Sequence, residues 1–214
     1  VYTRLAQAYY EAGQLDKMIE PADRAIALYD EPNKNPYVLK LTSYYERKMF
    51  PQTVAVAEEL VRNFPEEPRW WTQLGFFYLS VEDFEKGLST FEMAYIQGYL
   101  KKVNEIKTLS QLFQTNGMPF KAAQILEKHV KSGLLDEDAD MLASIANAYH
   151  QAKNYDKAAS LYAKAAAKSS DPEHYRKQGT LLLVAEDYKG AIKALNNALE
   201  RGVENPGKVH FTLM

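Results

Sequence analysis

Four histidines, His129, His150, His174 and His210, are the side chains of this 214-residue sequence best suited to acid–base work or to a metal. None sits at the H-E-x-x-H spacing that would bring two imidazoles onto one helical face. Cysteine is absent, which excludes disulfides, thiolate zinc sites and cysteine nucleophiles together. Glu58–Glu59 and Glu66–Glu67 are adjacent pairs, and adjacent side chains diverge on a helix, so paired-carboxylate catalysis has no support there. The phosphate loop G-x-x-x-x-G-K-[ST], the dinucleotide loop G-x-G-x-x-G and the elbow G-x-S-x-G are all missing. The chain reads as a non-enzyme, with no cofactor and no metal. Lys107 and Arg176 remain as cations able to attract a carboxylate.

Composition narrows the classes further. There are 26 Lys plus Arg against 28 Asp plus Glu, a formal charge of −2, which argues against a nucleic-acid binder. A hydrophobic share of 46% and a charged share of 25% are those of a folded chain rather than a disordered one. No uninterrupted apolar run exceeds five residues, as in Leu181–Leu182–Leu183–Val184–Ala185, and a spanning helix needs about 20. Ten Gly and nine Pro are few for a β-sandwich with many tight turns.

The elements are set by a repeat. A small residue followed three places later by an aromatic recurs as Ala6–Tyr9, Leu41–Tyr44, Gly75–Tyr78, Ser110–Phe113 and Ala146–Tyr149, and as Gly179–Leu182 with leucine in the aromatic place. Successive units lie 35, 34, 35, 36 and 33 residues apart. Twelve residues on comes a second column: Met18, Thr53, Gly87, Ala122, Ala158, Ala191. A third follows four later (Ala22, Ala57, Phe91, Leu126, Tyr162, Leu195), and a fourth three further (Ala25, Leu60, Ala94, His129, Ala165, Ala198). Steps of three and four put the columns on one helical face. His129 therefore reads as a partly buried packing residue. Gly, Asn and Asp between the first and second columns supply turn and cap chemistry, so each unit is predicted to be helix, turn, helix.

These columns resemble the tetratricopeptide repeat, W-x₂-L-G-x₂-Y, then A-x₃-F, then P. The third unit is most similar, with Trp71, Leu74, Gly75, Tyr78, Gly87, Phe91 and Ala94. The fourth departs, with Ile106, Ser110, Phe113, Pro119 and His129. The resemblance implies an all-α fold, a right-handed α-solenoid of helix–turn–helix repeats. The expected units are 1–33, 34–67, 68–102, 103–138, 139–171 and 172–205, with 206–214 opening a seventh. Both ends read as cut, so a fragment of a longer chain is expected.

In this family the concave groove is lined by the first helix of each unit. Carried onto this sequence, the lining at the positions after the small residue and after the aromatic is Gln7 and Tyr10, Thr42 and Tyr45, Phe76, Gln111 and Gln114, Asn147 and His150, and Thr180. Lys107 and Arg176 lie one turn earlier. Tyr10, Tyr45 and Phe76 offer rings, and the amides suit an extended peptide backbone. The expected partner is a protein or peptide. The clamp that grips acidic tails in the chaperone-binding branch is not matched: Lys107-x₃-Gln111 approximates its start, but later units offer Ser144 and Glu173. A pentatricopeptide RNA reader would be basic.

The stretch Gly117–Met118–Pro119–Phe120–Lys121–Ala122–Ala123–Gln124–Ile125–Leu126–Glu127–Lys128 carries a closer resemblance, with Gln97–Gly98–Tyr99–Leu100 and Arg201–Gly202…Pro206–Gly207…His210. It is similar to the periplasmic tetratricopeptide proteins encoded beside TonB–ExbB–ExbD systems of Gram-negative bacteria. That implies a periplasmic scaffold assisting TonB-dependent transport, with a TonB-system component as partner; outside that resemblance the expected compartment is the cytoplasm. The alternative is a regulatory or substrate-recruiting arm of a larger enzyme. Self-association through exposed repeat ends is a further expectation.

Overall fold

The computed structural model describes residues 1–213 and, at Phe211, the backbone alone. Met214, assigned above to the seventh unit, lies outside the described residues. Helices joined by tight turns make up the chain, and the described residues contain no strand. Two compact units divide it after Lys101. The first holds α1 (Tyr2–Glu11), α2 (Ile19–Leu28), α3 (Lys34–Glu46), α4 (Phe50–Asn63), α5 (Pro68–Ser80) and α6 (Phe84–Ile96). The second holds α7 (Val103–Thr115), α8 (Pro119–Lys131), α9 (Ala139–Gln151), α10 (Tyr155–Lys168), α11 (Pro172–Val184), α12 (Tyr188–Glu200) and α13 (Pro206–Leu213). Within each unit every helix packs on the next in sequence. The fold is all-α and of the α-solenoid type.

Local chemistry fixes the helix ends. The side chains of Asp83, Asp138, Asp171 and Asp187 accept backbone N–H groups of the first turns of α6, α9, α11 and α12. Pro68, Pro119 and Pro172 open their helices, where the missing N–H has no partner to lose. Before α2, Leu15–Met18 winds as a 3-10 turn. Pro21 explains this, because it has no N–H with which to bond the Lys17 carbonyl in an α-turn.

The first helix of each pair stops in one way. Backbone N–H groups of Gln14, Met49, Asp83, Met118, Asn154 and Asp187 return to the carbonyls of Tyr9, Tyr44, Tyr78, Phe113, Tyr149 and Leu182. This closure needs a left-handed residue just before the donor. Gly13 and Gly117 fill that place in two pairs, and Lys48, Glu82, Lys153 and Glu186 fill it in the other four, with φ of 58–62°. The aromatic column thus ends each first helix as well as packing it.

Packing follows the columns. All six small positions, Ala6, Leu41, Gly75, Ser110, Ala146 and Gly179, are buried, as are the whole second and third columns. The fourth is buried except for His129, which is half-buried. Gly75 shows why a small residue is needed: a Cβ there would lie 2.7 Å from the ring of Phe91. Gly179 faces Leu195 in the same way, at 2.6 Å. Ser110, fully buried, satisfies its hydroxyl by donating to the Ala122 carbonyl at 3.3 Å. Deletion of a fully buried ring such as Phe91 or Tyr162 should cost about 3–5 kcal/mol.

Candidate functional site: two hollows between successive first helices

Two hollows occupy equivalent places, one in each compact unit. The first lies between α3 and α5 and has a volume of about 420 Å³. Helix α3 contributes Val38, Leu41, Thr42, Tyr45 and Glu46, and α5 contributes Arg69, Gln73, Phe76 and Phe77. Tyr45 is half exposed, at 52%, with its ring 5.7 Å from Phe77 and 6.3 Å from Phe50. Phe76 stands edge-on to Phe91 at 5.0 Å, so one side of it belongs to the core. The Thr42 hydroxyl donates to the Val38 carbonyl at 2.9 Å and keeps its lone pairs for an incoming donor.

The second hollow, of about 380 Å³, lies between α7 and α9 over Leu126 of α8. Its walls are Lys107, Ser110, Gln111 and Gln114 on one side and Asp138, Asp140, Met141, Ser144 and Asn147 on the other. Asp138 is engaged as the cap of α9, accepting from the Met141 N–H at 2.7 Å. The Ser144 hydroxyl donates to the Asp140 carbonyl at 2.8 Å. Amides, a cation and carboxylates in one open hollow suit an extended polar chain, because each amide both donates and accepts.

The twelve expected lining residues therefore separate. Thr42, Tyr45 and Phe76 meet in the first hollow, and Lys107, Gln111, Gln114 and Asn147 in the second. Tyr10 reaches the rim of the first by donating to Glu46 at 3.4 Å. Gln7 donates to Glu11 along its own helix. His150 lies outside the second hollow with its ring 6.0 Å from Tyr155. Arg176 spends its Nε on both carboxylate oxygens of Glu173, at 2.9 and 2.8 Å, and Thr180 donates to the Arg176 carbonyl. The structure does not gather Lys107 and Arg176 into one hollow.

Arg69, Gln73, Phe77, Asp138 and Asp140 are not among the expected lining residues, and Ser144 entered only as a mismatch to the acidic-tail clamp. They lie on the opposite edge of the following first helix, and a hollow between two helices takes one edge from each. The signal was available: 69, 73 and 76, like 140, 144 and 147, step by four and three along one stripe. No three His, Asp or Glu side chains gather at metal-binding spacing among the described residues. No described helix is long and apolar enough to cross a membrane.

The family described as tetratricopeptide repeat matches residues 110–172, from the middle of α7 to the start of α11. Over that stretch the chain matches the tetratricopeptide repeat, and the helix pairs before and after it share the same all-α solenoid fold. Among solved structures it is similar to YrrB, a TPR protein with an unusual peptide-binding site, at 16% identity and a TM-score of 0.63, over 92% of this chain and 100% of that one. It is similar to MamA at 16% identity and a TM-score of 0.58, over 80% and 92%. The MamA chain of Desulfovibrio magneticus RS-1, from residue 41 to its end, gives 15% and 0.54, over 77% and 92%. At such identities the likeness is one of fold. No curated protein matches the sequence. Tetratricopeptide repeats are protein-interaction scaffolds; in this chain, amides without a partner among the described residues and the half-exposed ring of Tyr45 line the hollows between first helices.

Proposed function

We propose that the chain is a non-catalytic scaffold that holds segments of a partner protein against its first helices, in the α3–α5 and α7–α9 hollows. One observation carries this: equivalent hollows recur in the two compact units, each open, and each lined mostly by side chains outside the packing columns. Side chains kept off the core and gathered in a concavity are the usual material of a recognition site. The fold likeness to YrrB, whose structure is described with a peptide-binding site, is in keeping with that reading.

The finer proposal is a periplasmic accessory of TonB-dependent transport, partnered by a TonB-system component. It rests on the sequence resemblance of 117–128 and its flanking stretches. A photo-reactive residue in place of Gln111 tests both levels in extract of a Gram-negative periplasm. Its adducts should include a TonB-system protein, whereas the same probe at Lys193, exposed on α12, should give none. Adducts with other proteins alone remove the TonB role and keep the scaffold. Equal labelling from both positions removes the hollow as the binding place.

A further inference from the structure

The equivalent hollows carry opposite charge at one register position. Six residues before the small position of the following helix stands Arg69 in the first hollow and Asp140 in the second. Building on the scaffold reading above, we propose that this position sets which segments each hollow accepts, and that the α3–α5 hollow takes an apolar peptide segment bearing an acidic side chain.

The apolar half of the requirement comes from Tyr45, Phe76 and Phe77, whose ring surface at the hollow is left to water and is favourable to cover. The acidic half comes from Arg69. Its guanidinium lies over the Trp70 ring, 4.4 Å from the centroid, and makes no ion pair among the described residues. Stacking on the indole face fixes the plane of the fork and leaves its edge N–H groups to donate, the arrangement that meets a carboxylate with two parallel hydrogen bonds. The one carboxylate in this hollow, Glu46, stands on the α3 wall and accepts from Tyr10. It disfavours an acid on that side and directs it toward α5. In the second hollow Asp140 stands at that position on the following helix and the cation, Lys107, is on the opposite α7 wall, so a segment seated in the same register would meet like charge there.

The experiment uses the sequence's own reporters. Both of its tryptophans, Trp70 and Trp71, lie on α5, so emission reports on the first unit alone. The 214-residue chain is titrated with acetyl-Gly-Leu-Glu-Phe-Gly-amide and with the same peptide carrying Gln or Lys in place of Glu. The Glu peptide should bind about tenfold more tightly than the Lys peptide. Arg69→Asp should invert that order, and Arg69→Ala should bring the Glu and Gln peptides within about twofold of each other. Circular dichroism melting confirms that each variant is folded. Equal binding of all three peptides, or a preference for Glu that survives Arg69→Asp, overturns the charge rule and leaves the scaffold reading standing. Binding of only a variant with a free C-terminal carboxylate overturns the acidic side chain as the source. No emission change with any peptide at millimolar concentration removes the proposal; if Gln111 cross-linking also fails, the scaffold reading falls with it.

Discussion

Tyr149 on α9 donates a 2.6 Å hydrogen bond to Glu127 on α8. Lys157 on α10 donates to both of them, at 2.8 Å each, so three consecutive helices meet in one clasp. The same registers carry Tyr78, which donates to Glu58 at 2.5 Å, with Lys86 above its ring at 5.4 Å. Glu127 is held below the usual carboxylate range. Burial alone would raise it, but hydrogen bonds from Lys157 and Tyr149, with the charges of Lys157 and Lys131, outweigh that. A group lowered in the folded state stabilises above its unfolded value, and that stability is lost as pH falls through the folded value. From about pH 4 downward the parent should therefore lose stability more steeply than Glu127→Gln. Tyr149→Phe should cost about 1–2 kcal/mol at neutral pH, read by urea denaturation. Parallel acid profiles for parent and Glu127→Gln would remove the clasp as a source of stability.

Gly75 and Phe91 set the second test. A Cβ at Gly75 would lie 2.7 Å from Phe91, whose ring is fully buried and has little room to move. Gly75→Leu should destabilise by about 1–3 kcal/mol through overpacking, and Phe91→Leu in the same chain should return part of the loss. A melting temperature unchanged by Gly75→Leu would contradict the close helix approach.

The left-handed turn residues give a prediction of opposite sign. Lys153 holds φ at 60°, a region that costs an L-residue about 1–2 kcal/mol and glycine almost nothing. Glycine loses part of that gain through its freer unfolded chain. Lys153→Gly should therefore stabilise by up to about 1 kcal/mol, seen as a higher midpoint in urea. Lys153→Val should do the reverse.

Tyr45 and Phe76 share a hollow but not a role. Tyr45→Ala removes a half-exposed ring and should cost less than about 1 kcal/mol of stability while weakening binding of the Leu-Glu-Phe peptide. Phe76→Ala also strips the edge contact with Phe91 and should cost about 2 kcal/mol. Equal melting temperatures for the two variants would show that Phe76 is not part of the core.

The fold was legible because its signal is repeated. Ala22, Ala57, Phe91, Leu126, Tyr162 and Leu195 share no size, yet all are buried. The period identified them where no single residue could. The site was legible by halves. Register placed Thr42, Tyr45 and Phe76, and Gln111 and Asn147, on an open surface, because positions beside a packing column face away from it. Arg69 and Asp140 lie on one stripe with Phe76 and Asn147, but that the stripe faces a hollow shared with the preceding first helix depends on the spacing of neighbouring helices, a tertiary quantity. Nor did register show that Arg176 is engaged by Glu173, three residues before it on the same turn of helix. The electrostatic fate of a side chain depends on rotamers that sequence period does not specify.

The residues that close the first helices run Gly13, Lys48, Glu82 and then again Gly117, Lys153, Glu186. Pro68 and Asp83, which open α5 and α6, have their counterparts in Pro172 and Asp187, and Gly98 after α6 has its own in Gly202. The chain therefore uses one three-repeat cassette twice, and the seam coincides with the boundary at Lys101. Each turn that closes a first helix joins the two helices of a single repeat. A repeat that is moved or excised carries its own turn with it, and because a Cβ at Gly13 or Gly117 would meet nothing within 4 Å, only the left-handed φ of that one residue is at stake.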